Sequence, residues 1–180
     1  LLQDIIANIG KLKELDLAIS DGKTILPVRP IIMGGDDITF VCDARLGVYC
    51  ARVFMDSFSR QEVSDGKQIS SCAGIAIVKV KYPFYRAYEL AHELCSNAKN
   101  ARKKERNAQN SSWLDFHIAQ SGITGSLCEI RQRHYFNKNR RKLTLRPFQL
   151  SSTNPGEITL KNLIHSINSF SDWPESKIKE

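Results

Sequence analysis

The residues best suited to chemistry sit between two apolar runs. In VRPIIMGGDDITFVC, from Val28 to Cys42, the tetrad Gly34, Gly35, Asp36 and Asp37 separates stretches rich in β-branched side chains. Two readings follow from residue type. Glycine permits positive φ and Gly-Asp pairs suit tight two-residue turns, so the tetrad can be plain hairpin chemistry. Adjacent carboxylates are also hard oxygen ligands for Mg²⁺ or Mn²⁺, and glycines let a phosphate approach the backbone closely. Phosphoryl transfer by two metals wants carboxylates at one point, with ions about 3.5–4 Å apart. Asp36 and Asp37 are therefore the candidate catalytic and metal-binding residues.

Other polar groups invite weaker readings. Lys99 stands in a strongly basic stretch near an expected helix end, where a long flexible cation can reach phosphate oxygens or simply be solvated. From Ile130 to Gly156 there is no acidic residue, while Arg131, Arg133, Lys138, Arg140, Arg141, Lys142 and Arg146 interleave with Tyr135, Phe136 and Phe148. Cations among stackable rings suit RNA or DNA, and a solvated basic loop has the same composition. Asp115 alternates with Leu114 and Phe116, so it is expected off the core face and facing solvent, with a place lining a nucleotide cleft as the alternative. His92, His117, His134 and His165 are scattered, without ligand spacing.

These residues need elements to hold them. Leu1, Ile5, Ile9, Leu12 and Ile19 give residues 1–19 a helical period. Residues 25–33 and 38–42 read as a hairpin, with Pro27 and Pro30 confined to an edge or the early part of its first strand. Asp43 is placed to cap a helix to about Ser59, with Leu46, Cys50, Val53 and Phe54 inward. A polar loop follows over 61–68, then a strand over 72–80. Pro83 suits the first turn of a helix reaching about Arg106, with Tyr88, Ala91, Leu94, Cys95 and Ala98 inward. Another strand is expected over 113–119. Residues 121–156 read as irregular apart from a possible strand over 143–150. A last helix runs over 159–170, with Leu160, Leu163, Ile164 and Ile167 on one face.

With one strand placed in front, the order becomes βαββαβ, an α+β ferredoxin-like unit. Ile31, Ile38, Phe40, Ile75 and Ile77 would then share a sheet. The first strand has no counterpart here, and the chain is read as part of a longer protein whose missing strand precedes Leu1. The domain reading is a palm over 1–120 and a basic extension over 121–180. At 180 residues and 42% hydrophobic, the chain can bury a real core. Its net charge of +7 favours anionic partners. Cys42, Cys50, Cys72, Cys95 and Cys128 show no C-x-x-C spacing and read as reduced, mostly buried thiols of a cytoplasmic protein. No run of 18 apolar residues suggests a membrane span.

The stretches LPVRPIIMGGDDITFVCDARLGVYCARVF, ISSCAGIAIVKVKYPFYRAYELAHELCSNAKN and SSWLDFHIAQSG occur in the order seen in a known family. Together they resemble the second, GGDD-bearing palm of the large subunit of type III CRISPR effector complexes, or its stand-alone relatives. GGDEF cyclases are more distantly similar. The resemblance covers residues 1–120. It implies joining ATP 3′ to 5′ into cyclic oligoadenylates of antiviral defence. It also implies Mg²⁺ or Mn²⁺ at Asp36 and Asp37, the nucleotide at Gly34 and Gly35, and the triphosphate at Lys99. Expected partners are other effector subunits or a second palm, with RNA on the basic segment 130–146. The family's first-strand carboxylate has no match, and Asp4 and Asp16 fall on helical positions. A catalytically silent palm acting as an RNA-linked scaffold stays open, as does a cyclase using GTP. Against the latter, Asp37 and Ile38 stand where glutamate and phenylalanine are usual in GGDEF proteins.

Overall fold

The protein is described by a computed structural model covering residues 19–20, 23–24, 28–34, 36–61, 66, 69–104, 111–119, 125–152 and 157–170. The helix expected before Ile19 lies outside the described residues, as do Gly35 and most of the polar loop over 61–68. The chain divides into two compact units, Leu1–Ser57 and Phe58–Glu180.

The first unit begins with two short antiparallel strands, β1 (Ile19–Ser20) and β2 (Lys23–Thr24). Ile19 is thus a strand residue rather than the end of a helix. The predicted hairpin follows as β3 (Val28–Gly34) and β4 (Asp37–Cys42), paired antiparallel. Its register slips between Pro30 and Ile32, which leaves Ile31 as the extra residue of a bulge. Proline has no N–H to give the ladder, and a bulge is where a strand absorbs it. A 3₁₀ turn (Ala44–Leu46) then leads into α1 (Gly47–Ser59). Asp43 caps the turn as expected, its side chain accepting from the Arg45 N–H at 2.9 Å. Leu46 and Cys50 are buried with Val28, and Phe40, Cys42, Tyr49 and Val53 pack on them. Phe54 is only half-buried, whereas Ala51 and Met55 are buried.

The second unit holds β5 (Cys72–Ile77), α2 (Phe84–Lys104), β6 (Trp113–Ile118), α3 (Leu127–His134), β7 (Phe148–Gln149) and α4 (Leu160–Ser169). Its sheet orders β5-β6-β7, with β6 parallel to β5 and antiparallel to β7. The five isoleucine and phenylalanine positions expected in one sheet fall in two: Ile31, Ile38 and Phe40 in the hairpin, Ile75 and Ile77 in this sheet. Helix α2 lies against β5 so closely at Gly74 that a Cβ there would collide with the Ala91 carbonyl and the Cys95 amide. Leu90, Leu94 and Leu127 form the adjoining core with Ala76 and Ala119. Burial of leucines such as Leu94 is worth about 1.5–3 kcal/mol each. Tyr88, expected inward, is exposed, and Leu90 takes the inner position.

Helix α3 occupies a stretch expected to be irregular. Ser126 and Glu129 form a reciprocal capping box at its start. Glu93 of α2 also accepts from the Leu127 N–H at 2.8 Å. Strand β7 is shorter than the expected 143–150, and α4 matches its expected span, capped by Thr159. Ile167 of α4 is exposed. The cysteines are free, but only Cys50 is buried and Cys128 is exposed. No helix among the described residues is long and apolar enough to cross a membrane.

Candidate functional site

The hairpin delivers its acidic residues to one end. Gly34 and Asp37 are the last pair of the β3–β4 ladder, and Asp36 lies in the turn between the two strands. Asp36 and Asp37 are exposed, and neither carboxylate has a hydrogen-bond or ion-pair partner among the described residues. Gly34 is also exposed, and a Cβ built on it would meet nothing within 4 Å. Its φ is not positive. Neither crowding nor backbone conformation calls for glycine at 34, and the result is open space beside two carboxylates.

The other end of the hairpin is fixed. Val28 pairs with Cys42 over the Leu46–Cys50 core. Asp43, next along, takes the Arg45 Nε at 3.0 Å as well as its amide. These bonds hold the Asp43 carboxyl down at about 2. The Cys42 thiol is pushed up by its contact with Cys50 and by burial.

Two carboxylates with free faces match the hard-oxygen preference of Mg²⁺ or Mn²⁺. Waters and phosphate oxygens would have to complete a six-ligand shell. Among the described residues no third histidine, cysteine or acid joins them.

Lys99 lies exposed on α2 in the second unit, followed by Arg102, Lys103 and Lys104 in the last turn. Arg102 donates to Ser70 Oγ at 2.7 Å. The charges of Arg102 and Lys99 both act on Cys72 at the start of β5, whose thiol is nonetheless raised because burial outweighs them. Asp36 and Asp37 belong to the first unit, and Lys99 to the second.

Asp115 is heavily hydrogen-bonded, contrary to its expected solvent-facing role. It is fully buried. Arg131 of α3 grips it with two hydrogen bonds, 2.8 Å to Oδ2 and 2.7 Å to Oδ1. Asn97 of α2 donates to Oδ2 as well. Asp115 is the register partner of Gly74, so it shares the sheet face that α2 covers. Leu114 on the opposite face is equally buried, so alternation could not separate an inner from an outer side. His117, two residues on, is buried edge-on to Tyr135 at 6.2 Å, and both its ring nitrogens lack a partner among the described residues.

The basic segment is likewise partly structural. Arg131 is committed to Asp115. Arg146 is buried between the Phe116 and Tyr135 rings, 5.0 and 4.8 Å from their centroids, and donates to the Phe116 carbonyl at 2.7 Å. Phe148 is buried against Phe116. Arg133, Lys138, Arg140 and Arg141 remain exposed.

The family described as Cas10/Cmr2, second palm domain, matches residues 16–108, just over half of the chain. The chain belongs to that family. The matched span includes the Gly34–Asp37 tetrad, β5 and all of α2 with Lys99. The mixed α+β architecture is that of the ferredoxin-like palm. A search of curated proteins finds no match.

Proposed function

We propose that this Cas10/Cmr2 palm is a metal-dependent nucleotidyltransferase that polymerises ATP into cyclic oligoadenylate for CRISPR antiviral defence. The observation that carries the reading is the hairpin end, where two adjacent exposed carboxylates, without partners among the described residues, lie next to Gly34, whose missing side chain leaves open space. Asp36 and Asp37 hold Mg²⁺ or Mn²⁺. Gly34 and Gly35 leave room for the nucleotide, and Lys99 neutralises the triphosphate. The 3′-hydroxyl of one ATP attacks the α-phosphorus of another, and pyrophosphate departs. Bound divalent ions supply the acidity for that hydroxyl and the countercharge for pyrophosphate. The partners are other CRISPR effector subunits or a second palm. The exposed Arg133, Lys138, Arg140 and Arg141 offer RNA an electrostatic surface.

A silent, scaffolding palm is the second reading. It is favoured by the lack of a third metal donor beside Asp36 and Asp37 among the described residues. Calorimetry separates the two. The enzyme reading requires ATP binding that depends on Mn²⁺ or Mg²⁺ and loses that dependence in D36N/D37N. Equal ATP affinity in both proteins, with and without metal, removes the metal site.

A further inference from the structure

The pattern sought in the basic segment, cations among accessible rings, occurs elsewhere in the second unit. The turn after β5 and the first turn of α2 read KVKYPFYRAY, from Lys79 to Tyr88. Phe84, Tyr85 and Tyr88 are 53%, 59% and 40% exposed. Phe84 and Tyr85 stand four and three residues before Tyr88, which puts each of them beside the Tyr88 ring on the helix surface. Val80, at the tip of the preceding turn, is fully exposed. Lys79, Lys81 and Arg86 are exposed around the rings, and Glu89 is the nearest acid in sequence. Arg86 sits 5.8 Å over the Tyr85 ring and donates to its hydroxyl at 2.9 Å.

We propose that this surface, from Lys79 to Glu89, is a stacking platform for single-stranded RNA. Three neighbouring rings left in solvent cost hydration unless something flat covers them, and nucleobases do so whatever their sequence. The surplus of cations attracts a polyanion and disfavours an acceptor-poor apolar partner. Bases paired within a duplex do not present their faces, so the strand must be single. Glu89 selects the sugar: beside DNA it only repels phosphate, whereas a ribose 2′-hydroxyl can donate to it. The inference stands apart from the nucleotidyltransferase reading, because it involves none of Asp36, Asp37 or Lys99.

The test is fluorescence anisotropy on the full chain with a labelled single-stranded RNA, the same RNA as a duplex, and DNA of the same sequence, over a series of salt concentrations. F84A/Y85A/Y88A is expected to weaken single-stranded RNA on the order of 10- to 100-fold. K79Q/K81Q, outside the helix, should flatten the salt dependence while the protein melts at the wild-type temperature. E89Q should narrow the preference for RNA over DNA. Wild-type affinity in both the ring and the lysine variants would overturn the proposal, as would equal binding of duplex. Loss of affinity confined to R133A/R140A/R141A would place RNA on the basic segment instead. Intact RNA binding in a ring variant that no longer associates with another effector subunit would mark the patch as a protein contact, against the proposal.

Discussion

Arg131 meets Asp115 in a two-pronged ion pair, 2.7 and 2.8 Å, that joins α3 to the middle strand of the sheet out of reach of water. Removing one partner would strand a charge in a medium that solvates it poorly. Arg131→Ala is expected to cost about 3–5 kcal/mol in urea unfolding. Replacing both partners, as D115L/R131M, should cost less than either single change, because no bare charge is left behind. A double variant less stable than both singles would refute this account of the pair.

Gly74 sets how close α2 can lie to β5. Gly74→Ala drives a methyl into backbone atoms of Ala91 and Cys95, which cannot rotate away as a side chain could. The expected loss is about 3 kcal/mol or more, read from the urea midpoint. A loss within error of zero would mean that the helix moves aside freely.

His117 ties stability to pH. Burial, followed by the charges of Arg146 and Arg131, lowers its pKa, while Asp115 opposes and His134 adds to the lowering. The unfolded chain takes up a proton near the ordinary value, about 6.5, before the folded chain does. This contribution is therefore full above that pH and is lost as pH falls through the folded value. Unfolding followed from pH 8 down to pH 5 should show a decline that is shallower in His117→Phe. Identical slopes would remove His117 as its source.

Much of this fold is legible in the residues, and the misplaced charged residues share one cause. The hairpin is readable because β-branched runs flank residues that favour a turn, and Asp43 is a local cap that works without tertiary help. Helix α3 carried a signal, Ser126 with Glu129 three positions later, but its two arginines and the basic stretch after it resemble a solvated loop. Asp115, Arg131 and Arg146 were misjudged because charge predicts exposure only until a partner is known. Each partner is distant in sequence: Arg131 for Asp115, and the Phe116 carbonyl for Arg146. Tyr88 fits the inner period of α2, yet Leu90 fills that place, since a helical stripe leaves one residue's latitude at its edge. In the candidate site, the placement of Gly34, Asp36 and Asp37 at the end of a hairpin is legible from residue type and spacing. Their local geometry is a hairpin property, and Lys99 comes from a different unit.

The most direct test of the central claim is product formation from labelled ATP with Mn²⁺ or Mg²⁺. The full-length protein, assembled with its effector subunits and activating RNA, is compared with its D36A/D37A form, and the products are resolved by chromatography. The account predicts pyrophosphate and 3′–5′ linked oligoadenylates, including cyclic ones, from the native hairpin and none from the variant. The same yield from both, or no product from the native assembly, would contradict it.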